Sequence, residues 1–140
     1  MYPGNFVATS PDKPAIIRPA TGESLTYREL DERSIRLAKY LRSLGLQRGD
    51  HIALISNNDL RVMEVYWAAL RSGLYITVVN RHLTAAEAAY IVDDCGAKAL
   101  VVSAQAVDAV DLSPGAYPGV THRLVFGGAL DGFEEYEAAL

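Results

Sequence analysis

Three short apolar runs punctuate the middle of the chain: Ile52–Ser56, Tyr75–Val79 and Ala99–Val102. They are nearly continuously hydrophobic rather than alternating, as strands covered on both faces of a parallel sheet are. Leu124–Phe126 is a weaker fourth candidate. Successive runs start about two dozen residues apart, room for one crossover helix, so the spacing predicts βαβ units rather than a solenoid.

Helices are signposted between them. Thr26-Tyr27-Arg28-Glu29 reads as a capping box, the Thr26 hydroxyl accepting from the Glu29 amide while the Glu29 side chain reaches back. Behind it Leu30, Leu37, Ala38, Leu41 and Leu44 share one helical face, and Gly45 supplies the left-handed stop. Thr84-Ala85-Ala86-Glu87 opens a second such helix, with Ala88, Ile91, Val92 and Cys95 on one face and Gly96 at its end. A middle helix, about Asp59 to Ser72, confines Arg61, Glu64 and Arg71 to a narrow stripe and is apolar elsewhere, Trp67 included. So little polar surface predicts packing on more than one side.

Before the first long helix, Ala15–Ile17 and Ser24–Thr26 flank a turn containing Pro19 and Gly22, a β-hairpin pattern. Ser113–Gly119 is a loop by its breakers. Phe133–Leu140 starts a helical pattern that receives no stop, from which we expect a chain cut within a longer protein. Together these elements give an α/β fold: parallel βαβ units of three to four strands with an N-terminal β-hairpin.

Composition narrows the function. The 140 residues, 50% hydrophobic and 21% charged, suit one globular domain. The formal charge is -4, and no run of Lys and Arg exceeds two residues, so the basic footprint of a nucleic-acid binder is missing. No apolar stretch approaches the roughly 20 residues of a spanning helix. The start, Met1-Tyr2-Pro3-Gly4-Asn5, lacks the basic and apolar regions of a signal peptide. The single cysteine cannot form an internal disulfide, and a cytoplasmic location is expected.

Candidate chemistry is sparse. Neither the dinucleotide fingerprint nor the P-loop occurs; Gly127 and Gly132 have the first P-loop spacing, but Phe133 stands where lysine is required. His51, His82 and His122 lie in different segments, which disfavours a zinc site. Cys95 could be a nucleophile given an activating base, but reads better as a small buried hydrophobe. Asp93 and Asp94 could be a carboxylate pair, but read better as solvated charges. Position leaves one argument, because ligands of parallel α/β sheets bind beyond the carboxyl ends of the strands. Those ends carry Ser56-Asn57-Asn58, Asn80-Arg81-His82 and Ser103. Asn57, Asn58 and Ser103 read first as helix N-caps, and Asn80-Arg81-His82 either as an exposed loop or as ligand-facing groups.

Several stretches resemble the opening of the adenylate-forming acyl-CoA synthetases. They are Pro11–Ile17, Leu25–Leu30, Leu44–Asp50, Ile52–Ser56, Trp67–Gly73 and Asn80–Thr84, in this order. The run Asn80–Val102 is most similar to fatty acyl-CoA ligases of the actinobacterial type. The resemblance implies an N-terminal subdomain of a larger enzyme. That enzyme would activate a carboxylic, expectedly fatty, acid with ATP and Mg²⁺ as acyl-AMP and transfer it to coenzyme A.

The family's Ser/Thr/Gly-rich loop ending in Pro-Lys-Gly, its Tyr-Gly-x-Thr-Glu and Thr-Gly-Asp motifs and its catalytic lysine are absent here. No catalytic, cofactor-binding or metal-binding residue is therefore assigned. Residues 1–140 are expected to be an inactive scaffold fragment that binds no cofactor alone and self-associates through exposed apolar surface or an open sheet edge. A free-standing flavodoxin-like ligand-binding domain and a purely interacting domain are the alternatives. A phosphoacceptor variant is disfavoured because Ser56, Asn80 and Ser103, not aspartate, follow the strands.

Overall fold

A computed structural model describes residues 2–113 and 115–140. A short helix, α1 (Gly4–Val7), precedes the antiparallel hairpin of β1 (Pro14–Arg18) and β2 (Glu23–Thr26). Arg18 and Glu23 pair across its turn at 3.2 Å. There follow α2 (Tyr27–Ser43), β3 (His51–Ile55), α3 (Arg61–Ser72), β4 (Tyr75–Val79), α4 (Ala85–Asp94) and β5 (Ala97–Ser103). A 3₁₀ segment (Ala104–Ala109), β6 (His122–Phe126), β7 (Glu134–Glu135) and α5 (Tyr136–Ala139) complete the described chain.

One parallel sheet runs in the order β4-β3-β5-β6-β7. It has five strands where the sequence predicts three to four. The additional strand is two exposed glutamates, Glu134 and Glu135, paired with Leu124 and Val125. It carries no apolar run, and the helix expected from Phe133 begins only at Tyr136. β5 is the most enclosed strand: of its seven residues only Lys98 is exposed.

Helices cover both faces. Leu37 and Leu41 of α2, Val65, Ala68 and Ala69 of α3, and Tyr136 of α5 pack on Ile52, Leu54, Val101 and Phe126. On the other face Ala88 and Val92 of α4, with Ala106, Tyr117 and Val120, pack on Ala53, Ile55, Leu100 and Val102.

The charged stripe of α3 is turned toward neighbouring elements, with Arg61 and Arg71 partly exposed. Arg61, Glu64 and Arg71 point toward partners on neighbouring elements, and Glu64 is only 1% exposed. The bare side of α3 carries Tyr66 and Leu70 instead. Burial is possible because each charge meets its opposite; an unpaired one would be driven to the surface.

Both capping boxes form. Thr26 accepts from the Glu29 amide at 3.2 Å, and the Glu29 carboxylate accepts from the Thr26 amide at 2.8 Å. Thr84 and Glu87 repeat the arrangement at 3.3 and 2.9 Å. The backbone and hydroxyl hydrogen bonds from Thr26 hold the Glu29 carboxyl below its ordinary pKa of 4.5. A depressed folded value stabilises the fold above pH 4.5 and loses that contribution as pH falls through the folded value. Thr26→Ala is thus expected to cost about 1 kcal/mol at neutral pH, and to lose less stability than the parent on acidification. Urea unfolding at pH 7 and pH 3.5 measures both effects, and equal acid sensitivity of parent and variant would refute the second.

Candidate functional site

The connections leaving β3 and β5 diverge. β3 leads through α3 to β4 on one side, whereas β5 leads to β6 on the other. The crevice beyond their carboxyl ends is therefore the switch point at which doubly wound sheets bind ligands. Here the structure brings together Ser56 and Asn57 with Ser103 and Gln105. The Asn57 amide donates to the Gln105 side-chain oxygen at 2.7 Å, spanning the crevice. Ser56 donates to the Asn57 carbonyl at 2.7 Å, and the Ser103 hydroxyl accepts from the Gln105 amide at 3.2 Å.

Ser103 is thus the N-cap expected of it, at the start of the 3₁₀ segment. Asn57 and Asn58 are not caps. The chain runs on to Leu60, the cap position of α3, before turning helical, and Leu60 has no side-chain cap bond. Asp59 replaces one, its carboxylate accepting from the Arg61 amide at 2.9 Å. Asn80-Arg81-His82 is an exposed turn held by the His82 amide donating to the Asn80 side chain at 3.0 Å. Gln105 went unnoticed in sequence because its partner lies 48 positions away.

Beside the crevice a cleft of about 600 Å³ opens. Ile16, Ile17 and Pro19 of the hairpin form one wall, Val62 and Met63 of α3 another, and the turn from Ser56 to Leu60 the third. It is mostly apolar with a polar rim. The lining does not fit a nucleotide triphosphate by itself: Ser56 and Asn57 already bond to neighbouring protein groups, and its arginine, Arg18, is paired with Glu23 at 3.2 Å. No reaction step is assigned to these residues.

A second cleft of about 280 Å³ shares Asp59 and Leu60 with the first and is lined by Arg33, Arg61, Glu64 and Glu137. Arg33 donates to Glu64 at 2.7 Å and to both Glu137 oxygens at 2.9 and 3.0 Å. Arg61 donates to Glu137 at 2.8 Å and to Asp59 at 3.1 Å. Tyr136, fully buried, donates its hydroxyl to Glu64 at 2.9 Å. Burial disfavours the charge on Arg33, but hydrogen bonds to Glu64 and Glu137 outweigh it and raise its pKa further. Burial would raise Glu137, yet Arg61 and Arg33 hold its carboxyl below the usual range. Burial, followed by the Glu64 charge, pushes the Tyr136 hydroxyl well above its ordinary value. Arg33 and Glu137 are thus held charged and Tyr136 protonated at neutral pH, which makes the cluster a fixed ion network rather than an acid–base pair.

The remaining candidates lie elsewhere. Cys95 ends α4, half-buried, with its thiol donating to the Val92 carbonyl at 3.3 Å. Asp93 and Asp94 are exposed. His51 sits against the Tyr75 ring at 4.8 Å, and among the described residues no three His, Cys, Asp or Glu side chains are placed to hold a metal ion.

The family model described as AMP-binding enzyme matches residues 5–136. A long-chain-fatty-acid–CoA ligase of Escherichia coli is 38% identical over 97 residues, which are 69% of this chain and 17% of that protein. A ligase of the same description from Mycobacterium tuberculosis is 28% identical over 102 residues, 73% of this chain and 20% of that protein. The crystal structure of an anthranilate CoA ligase superposes with a TM-score of 0.86 at 20% identity, covering 98% of this chain and 25% of that one. The chain therefore spans about a fifth of the length of these curated relatives.

Proposed function

Because the chain belongs to the AMP-binding enzyme family, we propose that it serves as part of the N-terminal domain of an ATP-dependent acid–CoA ligase. The observation that carries this reading is the match over residues 5–136 together with 38% identity to a long-chain-fatty-acid–CoA ligase. In the proposed reaction a carboxylate, of fatty-acid type, attacks the α-phosphorus of ATP and pyrophosphate leaves. The thiol of coenzyme A then displaces AMP from the acyl-adenylate. Mg²⁺ would offset phosphate charge in the first step. Residues 1–140 contribute scaffold: a sheet covered on both faces, its carboxyl-end rim and the adjoining apolar cleft. Alone they are inactive.

Two measurements test this reading. Read in frame past codon 140, the source gene should encode a Ser/Thr/Gly-rich loop ending in Pro-Lys-Gly; a stop codon there would overturn the ligase assignment. Calorimetric titration of ATP into the 140-residue chain should show no saturable heat, and micromolar binding would overturn the inert-scaffold part.

We propose further that the isolated chain self-associates. Among the described residues β4 has only β3 as a neighbour, which leaves one row of its backbone groups unpaired within the sheet. It lacks charge and proline, while Tyr75 and Val78 are 63% and 62% exposed. Such an edge is unprotected against pairing with another chain. Light scattering should show apparent mass rising with concentration; a constant monomer mass that binds no hydrophobic dye would overturn this.

A further inference from the structure

The ion network joins two places that the sequence keeps far apart. One is the turn Ser56–Leu60, a wall of the 600 Å³ cleft; the other is the closing segment Glu134–Leu140. α5 has four residues, too few for a helix that stands by its own hydrogen bonds. Side chains hold it instead: Tyr136 buried against Phe126 with ring centroids 5.7 Å apart and bonded to Glu64, and Glu137 between Arg33 and Arg61. The first half of the turn is held by the Asn57–Gln105 bond, but its second half is short of support, since Leu60 makes no cap bond and Asn58 is exposed. Its anchor is Asp59, which accepts from both the amide and the guanidinium of Arg61.

We infer that the turn at the cleft and the closing segment order as one unit, coupled through the chain Asp59–Arg61–Glu137–Arg33–Glu64–Tyr136. Arg61 is the shared element. Its Nε serves Glu137 and its Nη1 serves Asp59, and its guanidinium lies 5.6 Å from the Phe126 ring centre, so one side-chain placement satisfies both ends. When Glu137 leaves, Arg61 loses a charged partner and is free to swing from Asp59. When Asp59 no longer holds Arg61, Glu137 keeps only Arg33. Coupling of this kind is reciprocal by linkage, so each end must report on the other. A shift of the turn changes the shape of the cleft, and occupancy of the cleft correspondingly changes the order of residues 136–139.

Amide hydrogen exchange on the full 140-residue chain tests this. In Glu137→Gln, amides of residues 56–62 and 136–139 should exchange roughly tenfold faster, the change expected from one weakened charged hydrogen bond. Asp59→Asn should accelerate residues 136–139 although it alters nothing in that segment. Arg61→Lys, which keeps the charge but not the two-pronged geometry, should accelerate both. Amides of β5, residues 97–103, should be unchanged, as should every segment in the exposed-site control Glu135→Gln. Acceleration confined to the mutated segment, or none, would overturn the coupling. Equal acceleration in β5 would also overturn it, because the variants would then be lowering global stability.

Discussion

Glu64→Ala is expected to lower the unfolding free energy by about 3 kcal/mol, reported by urea unfolding followed at Trp67. Removing one partner of a buried pair leaves an uncompensated charge, which in fully buried sites costs about 3–5 kcal/mol. The lower end applies because the Arg33 side chain is 26% exposed and retains Glu137. The Tyr136 hydroxyl, by contrast, is fully buried and loses its acceptor. Two milder variants divide the effect. Tyr136→Phe removes one donor and should cost about 1 kcal/mol. Glu64→Gln keeps an acceptor for Tyr136 but loses the charge facing Arg33, so it should fall between the two. A loss below about 1 kcal/mol for Glu64→Ala would mean that water enters and replaces the carboxylate.

Leu100→Ala should be comparably damaging, at about 2–5 kcal/mol. Leu100 is fully buried on β5, flanked by β3 and β6, and faces the core formed with α4. Three adjacent parallel strands cannot collapse toward the missing methyl groups without breaking register, so the cavity persists and its cost adds to the lost burial. Tyr90→Ala, at a site 70% exposed on α4, should change stability by less than about 0.5 kcal/mol. Similar urea midpoints for the two variants would show that the second face is loosely packed.

Local signals were legible and distant pairings were not. The boxes at Thr26 and Thr84 are four-residue patterns, and both form with the bonds their spacing predicts. The buried strands declare themselves by composition, although β5 runs from Ala97 to Ser103 and not only from Ala99 to Val102. The closing strand was invisible because Glu134 and Glu135 pair through backbone alone. Periodicity found the α3 stripe but not its partners. It cannot show that Arg33 lies opposite across 31 positions, or Tyr136 across 72. A usable hint was present in Glu64 itself, one carboxylate among Val62, Met63, Val65 and Trp67. The Asn57–Gln105 bond had no local signature, and the caps assumed for Asn57 and Asn58 failed because the chain uses Asp59 in their place.

Strand order also sets a schedule for synthesis. β3 lies inside the finished sheet, but the neighbour that covers its second edge is β5, which follows both β4 and α4 in the chain. A ribosome that has released residues up to 96 has therefore exposed a two-stranded parallel sheet open along both sides. Parallel pairs are not independently stable at that size. The seven residues from Ala97 to Ser103 convert it into a sheet with an interior. Within residues 1–140 the sheet thus gains its interior only when β5 emerges, and the strands before it must be kept from other strands until that short segment clears the exit tunnel.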